Sequence, residues 1–97
     1  MEGGDRDDAR GVVTVMSRPG CHLCEKVIAA LQGLAPGSGF ELRVVDIDKD
    51  PRLHERYWLE IPVVQVEGRA VFDARDMDLR GGYVKKLEAL FGRRSSA

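Results

Sequence analysis

A nearly continuous apolar run, Val12-Val13-Thr14-Val15-Met16, gives way across Ser17-Arg18-Pro19-Gly20 to a different periodicity, with Leu23, Val27, Ala30, Leu31 and Leu34 at steps of three and four. The first pattern, rich in β-branched residues, is that of a strand covered on both faces. The second is one face of a helix. A strand feeding a helix opens an α/β arrangement, and the order of the elements that follow is compatible with one sheet covered on both faces.

Ala35 to Gly39, with Pro36 and two glycines, is expected to end the helix. Phe40, Leu42, Val44, Val45 and Ile47 then predict a second strand. Asp50-Pro51 opens a short second helix through Leu53 and Tyr57, because an aspartate oxygen caps the first free N–H groups and proline has no N–H to leave unpaired. Pro62 prevents its continuation. Val63, Val64 and Val66, then Glu67-Gly68, then Ala70 to Phe72 predict a hairpin, and Val84, Leu87, Leu90 and Phe91 a closing amphipathic helix. Gly81 and Gly82 leave the start of that helix open, since each would weaken it by about 1 kcal/mol relative to alanine if it lay inside. The order is β-α-β-α-β-β-α.

With 97 residues the chain suits one domain, expected over residues 11–92, with residues 1–10 and 93–97 as solvated, disordered tails lacking apolar periodicity. A formal net charge of -1 supplies no cationic field to hold a nucleic-acid backbone, so nucleic acid is not an expected partner. No apolar stretch approaches the roughly 18 residues that span a bilayer, and no membrane association is expected. Asp5, Asp7 and Asp8 among glycines and arginines do not make a signal or transit peptide, which leads us to expect a cytoplasmic protein.

Cys21 and Cys24 are the only cysteines and stand where the helical pattern begins. As a structural staple the pair would enclose two residues and remove little unfolded-state entropy. A redox or a metal site is the better reading of two thiols at this spacing. Free N–H groups and the positive end of the helix dipole favour a thiolate on the first of them.

The element order, Ser17-Arg18-Pro19-Gly20-Cys21-His22-Leu23-Cys24 after strand one, Asp46-Ile47-Asp48, and Arg56-Tyr57 ahead of Ile61-Pro62-Val63 together resemble the thioredoxin superfamily, and within it the small glutaredoxin-like proteins. The resemblance covers about residues 12 to 91. It implies a thioredoxin-like, glutaredoxin-type fold with a four-stranded mixed sheet covered by helices on both faces. It implies a cis Ile61-Pro62 bond beside the cysteines, with the backbone of Ile61 pairing with an extended substrate.

The resemblance also implies thiol–disulfide oxidoreductase activity through a redox-active Cys21–Cys24 disulfide. Cys21 is then the exposed nucleophile and Cys24, covered within the first turn, the resolving thiol. Arg18 stands where glutaredoxins carry a basic residue that pairs with a glutathione carboxylate. His22 is either a lever on the Cys21 thiolate or an exposed helix-start residue with no specific contact. No bound cofactor is expected; glutathione enters as reductant or co-substrate. The expected partners are protein disulfides and either glutathione or a thioredoxin-type reductase, with the protein a monomer.

One departure stands out. Where glutaredoxins place a double glycine that holds the γ-glutamyl carboxylate of glutathione, this chain has Phe72-Asp73, and an aspartate repels a carboxylate, although Arg75 supplies compensating charge. Gly81-Gly82 comes too late to substitute. Asp46 and Asp48 read as caps and solvated acids, Tyr57 and Trp58 as packing residues, and His54 as a solvated residue standing alone. Two competing functions differ in class from an enzyme: an iron–sulfur or metal carrier of glutaredoxin type, which needs ligands beyond two cysteines, and a non-catalytic binding module using the same groove.

Overall fold

The computed structural model describes residues 11–78 and 80–92; the tails expected at 1–10 and 93–97 lie outside the described residues. The chain runs β1 (Val12–Ser17), α1 (His22–Ser38), β2 (Glu41–Asp46), a 3-10 turn (Ile47–Lys49), α2 (Pro51–Tyr57), β3 (Val63–Val66), β4 (Arg69–Phe72), a second 3-10 turn (Ala74–Asp76) and α3 (Gly82–Phe91). The order β-α-β-α-β-β-α is the one the apolar periods predict.

The four strands form one mixed sheet in the order β2-β1-β3-β4. β1 and β2 are parallel, Val12 facing Glu41 and Ser17 facing Asp46. β3 runs antiparallel to β1, with Val15 opposite Val64 and Met16 opposite Val63, and β4 runs antiparallel to β3. β1 is therefore interior, and its alternate residues are buried on opposite faces.

Val13 and Val15 join Val64, Phe72, Val27, Leu31, Leu87 and Phe91 in the larger core, which lies between the sheet and the pair α1 and α3. Met16, Ile47 and Val63 form a smaller core on the other face, covered by Leu53 and Tyr57 of α2. Helices thus cover both faces, and the fold is thioredoxin-like.

The stretch from Ala35 to Gly39, expected to break α1, instead supplies its last turn, with Pro36 inside the helix. Tertiary contact outweighs the lost donor of Pro36: the buried Ser38 hydroxyl donates to the Phe91 carbonyl at the end of α3, tying the two helices together. Gly39, at φ 79°, then ends the helix in the left-handed conformation, its N–H donating to the Ala35 carbonyl at 2.8 Å. Phe40 and Ile47, expected within the second strand, flank it instead, and both are buried.

The Asp50 carboxylate accepts from the Arg52 N–H at 2.9 Å with Pro51 as the first residue of α2, as the sequence predicts. At the hairpin tip Glu67 and Gly68 both have positive φ, 52° and 83°, the type I′ geometry that matches strand twist. α3 starts at Gly82 behind Gly81 as its N-cap, which settles where the closing helix begins. No helix among the described residues is long and apolar enough to cross a membrane.

Candidate active site

The C-terminal ends of the parallel strands β1 and β2 and the start of β3 lie at one end of the sheet, because β3 is antiparallel to β1. Chain segments leaving a sheet at such an end are free to carry chemistry. The loop Arg18-Pro19-Gly20 is exposed and carries the chain from the buried Ser17 to α1. The Cys21 N–H donates to the Arg18 carbonyl at 3.3 Å, closing the turn.

Cys21 is the N-cap of α1, with φ -89° and ψ 104°. An N-cap side chain meets the free N–H groups of the first turn, and here the Cys21 Sγ accepts from the Cys24 N–H at 3.1 Å. The two sulfurs are joined in a disulfide across a Cα–Cα distance of 5.2 Å. Cys24 is 1% exposed whereas Cys21 is only half-buried, so the first sulfur is the one an incoming group reaches. Reduction of this bond leaves Cys21 in the field of the helix N-terminus, which favours its thiolate.

Arg18 is engaged within the chain: its Nε lies 3.2 Å from Asp48 Oδ2. Asp46, facing Ser17 across the sheet, caps the turn that carries Asp48, its carboxylate accepting from the Asp48 N–H at 2.9 Å. His22 is exposed, and its Nδ1 lies 3.7 Å from Glu25 Oε1. The Ile61–Pro62 bond is cis, the isomer the resemblance implies. Pro62 is fully buried, and Ile61 packs against the smaller core with its N–H donating to the Tyr57 carbonyl at 3.0 Å.

At the same end, the Ala74 N–H donates to the Glu60 carbonyl at 3.1 Å, which seats the second 3-10 turn beside the segment leading to Pro62. Asp73 caps that turn and is gripped by Arg75, whose Nη2 lies 2.9 Å from its Oδ2. This hydrogen bond from the guanidinium holds the Asp73 carboxyl below its ordinary range, against the opposing effect of burial. Arg75 thus spends its charge on Asp73.

Two residues differ from their expected roles. His54, expected to stand alone, places Nε2 3.8 Å from Asp48 Oδ1 and stacks on Trp58, with rings 6.3 Å apart and 2° from parallel. Trp58, expected to pack, is 50% exposed because α2 ends there; Tyr57 does pack, and its hydroxyl accepts from Gln65 Nε2 at 3.1 Å. The legible signal was their i,i+4 spacing, which puts both side chains on one helix face. Among the described residues no group of three or more His, Cys, Asp or Glu side chains is arranged to hold a metal ion.

The model of the glutaredoxin-like domain family (DUF836) matches residues 12–88. This chain belongs to that family. Uncharacterized protein Rv0508 of Mycobacterium tuberculosis (strain H37Rv) and uncharacterized protein Mb0520 of Mycobacterium bovis are each 30% identical to it over 66 residues, covering 63% of this chain and 68% of theirs. Among solved structures, the solution NMR structure of protein Ne2328 from Nitrosomonas europaea is similar, with 32% identity and a TM-score of 0.57 over 77% of this chain and 87% of that one. A CxxC pair on a glutaredoxin-like domain fits a redox role.

Proposed function

We propose that this glutaredoxin-like protein is a thiol–disulfide oxidoreductase that reduces protein or glutathione-mixed disulfides through Cys21 and Cys24. The observation that carries the reading is the asymmetry of the pair: a half-buried sulfur that accepts a helix N–H, bonded to a second sulfur that is fully covered.

In the reduced protein the Cys21 thiolate attacks one sulfur of the target disulfide, forming a Cys21–target bond and expelling the other target sulfur as a thiolate that takes up a proton. Cys24 then loses its proton and attacks Cys21 Sγ, releasing the second target thiol and leaving the Cys21–Cys24 disulfide. The target gains two electrons and the protein loses two. Two molecules of glutathione, or one dithiol of a thioredoxin-type reductase, return them and regenerate both thiols.

The test is turnover of a neutral small disulfide, such as that of 2-mercaptoethanol, coupled to either reducing system. Cys21→Ser is expected to abolish turnover, and Cys24→Ser to accumulate a mixed disulfide on residue 21, because attack proceeds without resolution. Inactivity of the intact protein with both reducing systems, or a partner trapped on residue 24 in Cys21→Ser, overturns the assignment.

A further inference from the structure

Two polar residues are buried among the described residues, Ser38 and Ser17. Ser38 donates to the Phe91 carbonyl, but the hydroxyl of Ser17, a residue 6% exposed, has no hydrogen-bond partner among the described residues. A covered hydroxyl left unpaired is costly and uncommon in folded proteins, so the place this one occupies is informative.

The fold sets it at the level of Cys24. Side chains alternate along β1, so Ser17 shares the face of Val13 and Val15, while Met16 belongs to the smaller core on the other face. α1 covers the Ser17 face, because Val13 and Val15 pack in one core with Val27 and Leu31. β1 and β2 are parallel, so the helix that joins them runs back against the strand direction. Leu31, Val27 and Cys24 then descend one buried stripe of α1 as Val13, Val15 and Ser17 ascend β1. The helix stripe covers about 10 Å and the strand series about 13 Å, which brings Ser17 and Cys24 to the same end of their elements. Only Arg18 to Cys21 separate β1 from α1, and Cys24 is the first buried residue of the helix.

The neighbours of Ser17 in the sheet offer its hydroxyl no side-chain acceptor. Met16 faces Val63 across the antiparallel pair, which puts Ser17 level with Pro62, whose ring carries none. On the parallel side Ser17 faces Asp46, whose carboxylate accepts from the Asp48 N–H. The Cys21 sulfur already accepts from the Cys24 N–H, whereas the Cys24 sulfur accepts from no group of the described residues. A sulfur in a disulfide is a weak acceptor, but an ionised thiol is a strong one.

We propose that Ser17 is a positioning residue for the resolving thiol: once the disulfide is reduced, its hydroxyl donates to the Cys24 sulfur and favours the thiolate that attacks Cys21. The inference rests on the oxidoreductase reading and deepens it by naming the group that tunes the second cysteine. Ser17 keeps its proton throughout. Cys24 gives its own proton to water and forms the bond to Cys21 Sγ; the Cys21–target bond breaks, and the target sulfur leaves with the electron pair and takes up a proton. The resulting disulfide returns the hydroxyl to its unpaired state, so the hydrogen bond stabilises the reduced protein alone.

Two measurements that need no target turnover test this. In redox equilibrium with glutathione, Ser17→Ala is expected to favour the disulfide by about fivefold to tenfold, a potential about 20–30 mV more negative, and Ser17→Thr, which keeps the hydroxyl, to match the parent. In a Cys21→Ser background, the ultraviolet absorbance of the Cys24 thiolate is expected to titrate at higher pH when Ser17→Ala is added, and at the parent pH with Ser17→Thr. An unchanged potential and titration in Ser17→Ala, or equal shifts in the alanine and threonine variants, overturns the proposal. So does a loss of stability in Ser17→Ala that is as large in the oxidised as in the reduced protein, which would make the hydroxyl structural. If the potential shifts as expected but no disulfide substrate is turned over, the oxidoreductase reading fails and the Ser17–Cys24 contact stands; turnover with an unshifted potential gives the reverse.

Discussion

Arg18 Nε lies 3.2 Å from Asp48 Oδ2, joining the loop after β1 to the 3-10 turn after β2. The register makes this pair, since Ser17 faces Asp46 in the parallel ladder and the next residues of both chains leave the sheet side by side. Both side chains are partly exposed, so the pair contributes at most about 1 kcal/mol to stability. Its consequence lies with Cys21, which follows Arg18 by three residues and is hydrogen-bonded to its carbonyl.

A cation near Cys21 favours the thiolate and an anion disfavours it, so the two members of the pair act in opposite directions. Alkylation of the reduced protein by iodoacetamide across pH reads this directly. Arg18→Gln is expected to move the midpoint of Cys21 reactivity upward and Asp48→Asn to move it downward, each by less than about one pH unit, the size of a solvent-screened charge at this range. Shifts of the same sign in both variants would show that the pair does not act on the thiol through charge.

Ser38 ties the end of α1 to the end of α3 by donating to the Phe91 carbonyl in a buried setting. Ser38→Ala removes the donor and leaves a covered acceptor unpaired, at an expected loss of about 1–3 kcal/mol in urea unfolding of the oxidised protein. An unchanged midpoint would mean that the hydroxyl is dispensable and that Gly39 alone closes the helix.

Glu67 holds φ 52° at the first position of the β3–β4 turn, a conformation that asparagine adopts more readily than glutamate. Its carboxylate also accepts from the Val12 N–H, at a long 3.4 Å. Relief of the backbone is the larger effect, and Glu67→Asn is expected to stabilise the protein by about 0.5–1 kcal/mol in the same unfolding measurement. Destabilisation would reverse that order and make the Val12 contact the stronger of the two.

The parts legible in the sequence are those in which local pattern and tertiary demand agree. The apolar run Val12 to Met16, the Asp50-Pro51 opening and the Glu67-Gly68 turn each say locally what the fold requires. The last turn of α1 was not legible, because the contact that holds Pro36 in the helix comes from Phe91, 53 positions from Ser38 in the chain. Cys21 and Cys24 could be singled out because thiols at this spacing carry their own chemistry, whereas Pro62 stood out only through the family resemblance, since a proline opening a strand is by itself ordinary. Asp48, His54 and Trp58 could not be joined to them, because only the folding of β2 and α2 onto one end of the sheet brings an acid, an imidazole and an indole into one line.

The second 3-10 turn sets how this end of the sheet responds to acid. Hydrogen bonding from Arg75 lowers the Asp73 carboxyl below its ordinary value, and hydrogen bonding from Lys86, whose Nζ lies 2.8 Å from Oδ1, lowers that of Asp76. A carboxyl depressed in the folded state contributes stability that is complete above its unfolded value, about 3.9, and is lost as pH falls through the folded value. Unfolding free energy is therefore expected to hold steady from neutral pH down to about pH 5 and to fall below pH 4. Asp76→Asn keeps an oxygen for the Asp73 N–H, which Asp76 Oδ2 now receives at 3.0 Å, but removes the titrating charge opposite Lys86. It should lower stability at pH 7 by less than about 1 kcal/mol and make the loss between pH 5 and pH 3 shallower than in the parent. If parent and variant lose the same amount over that interval, other carboxylates govern the acid response and the turn is a bystander.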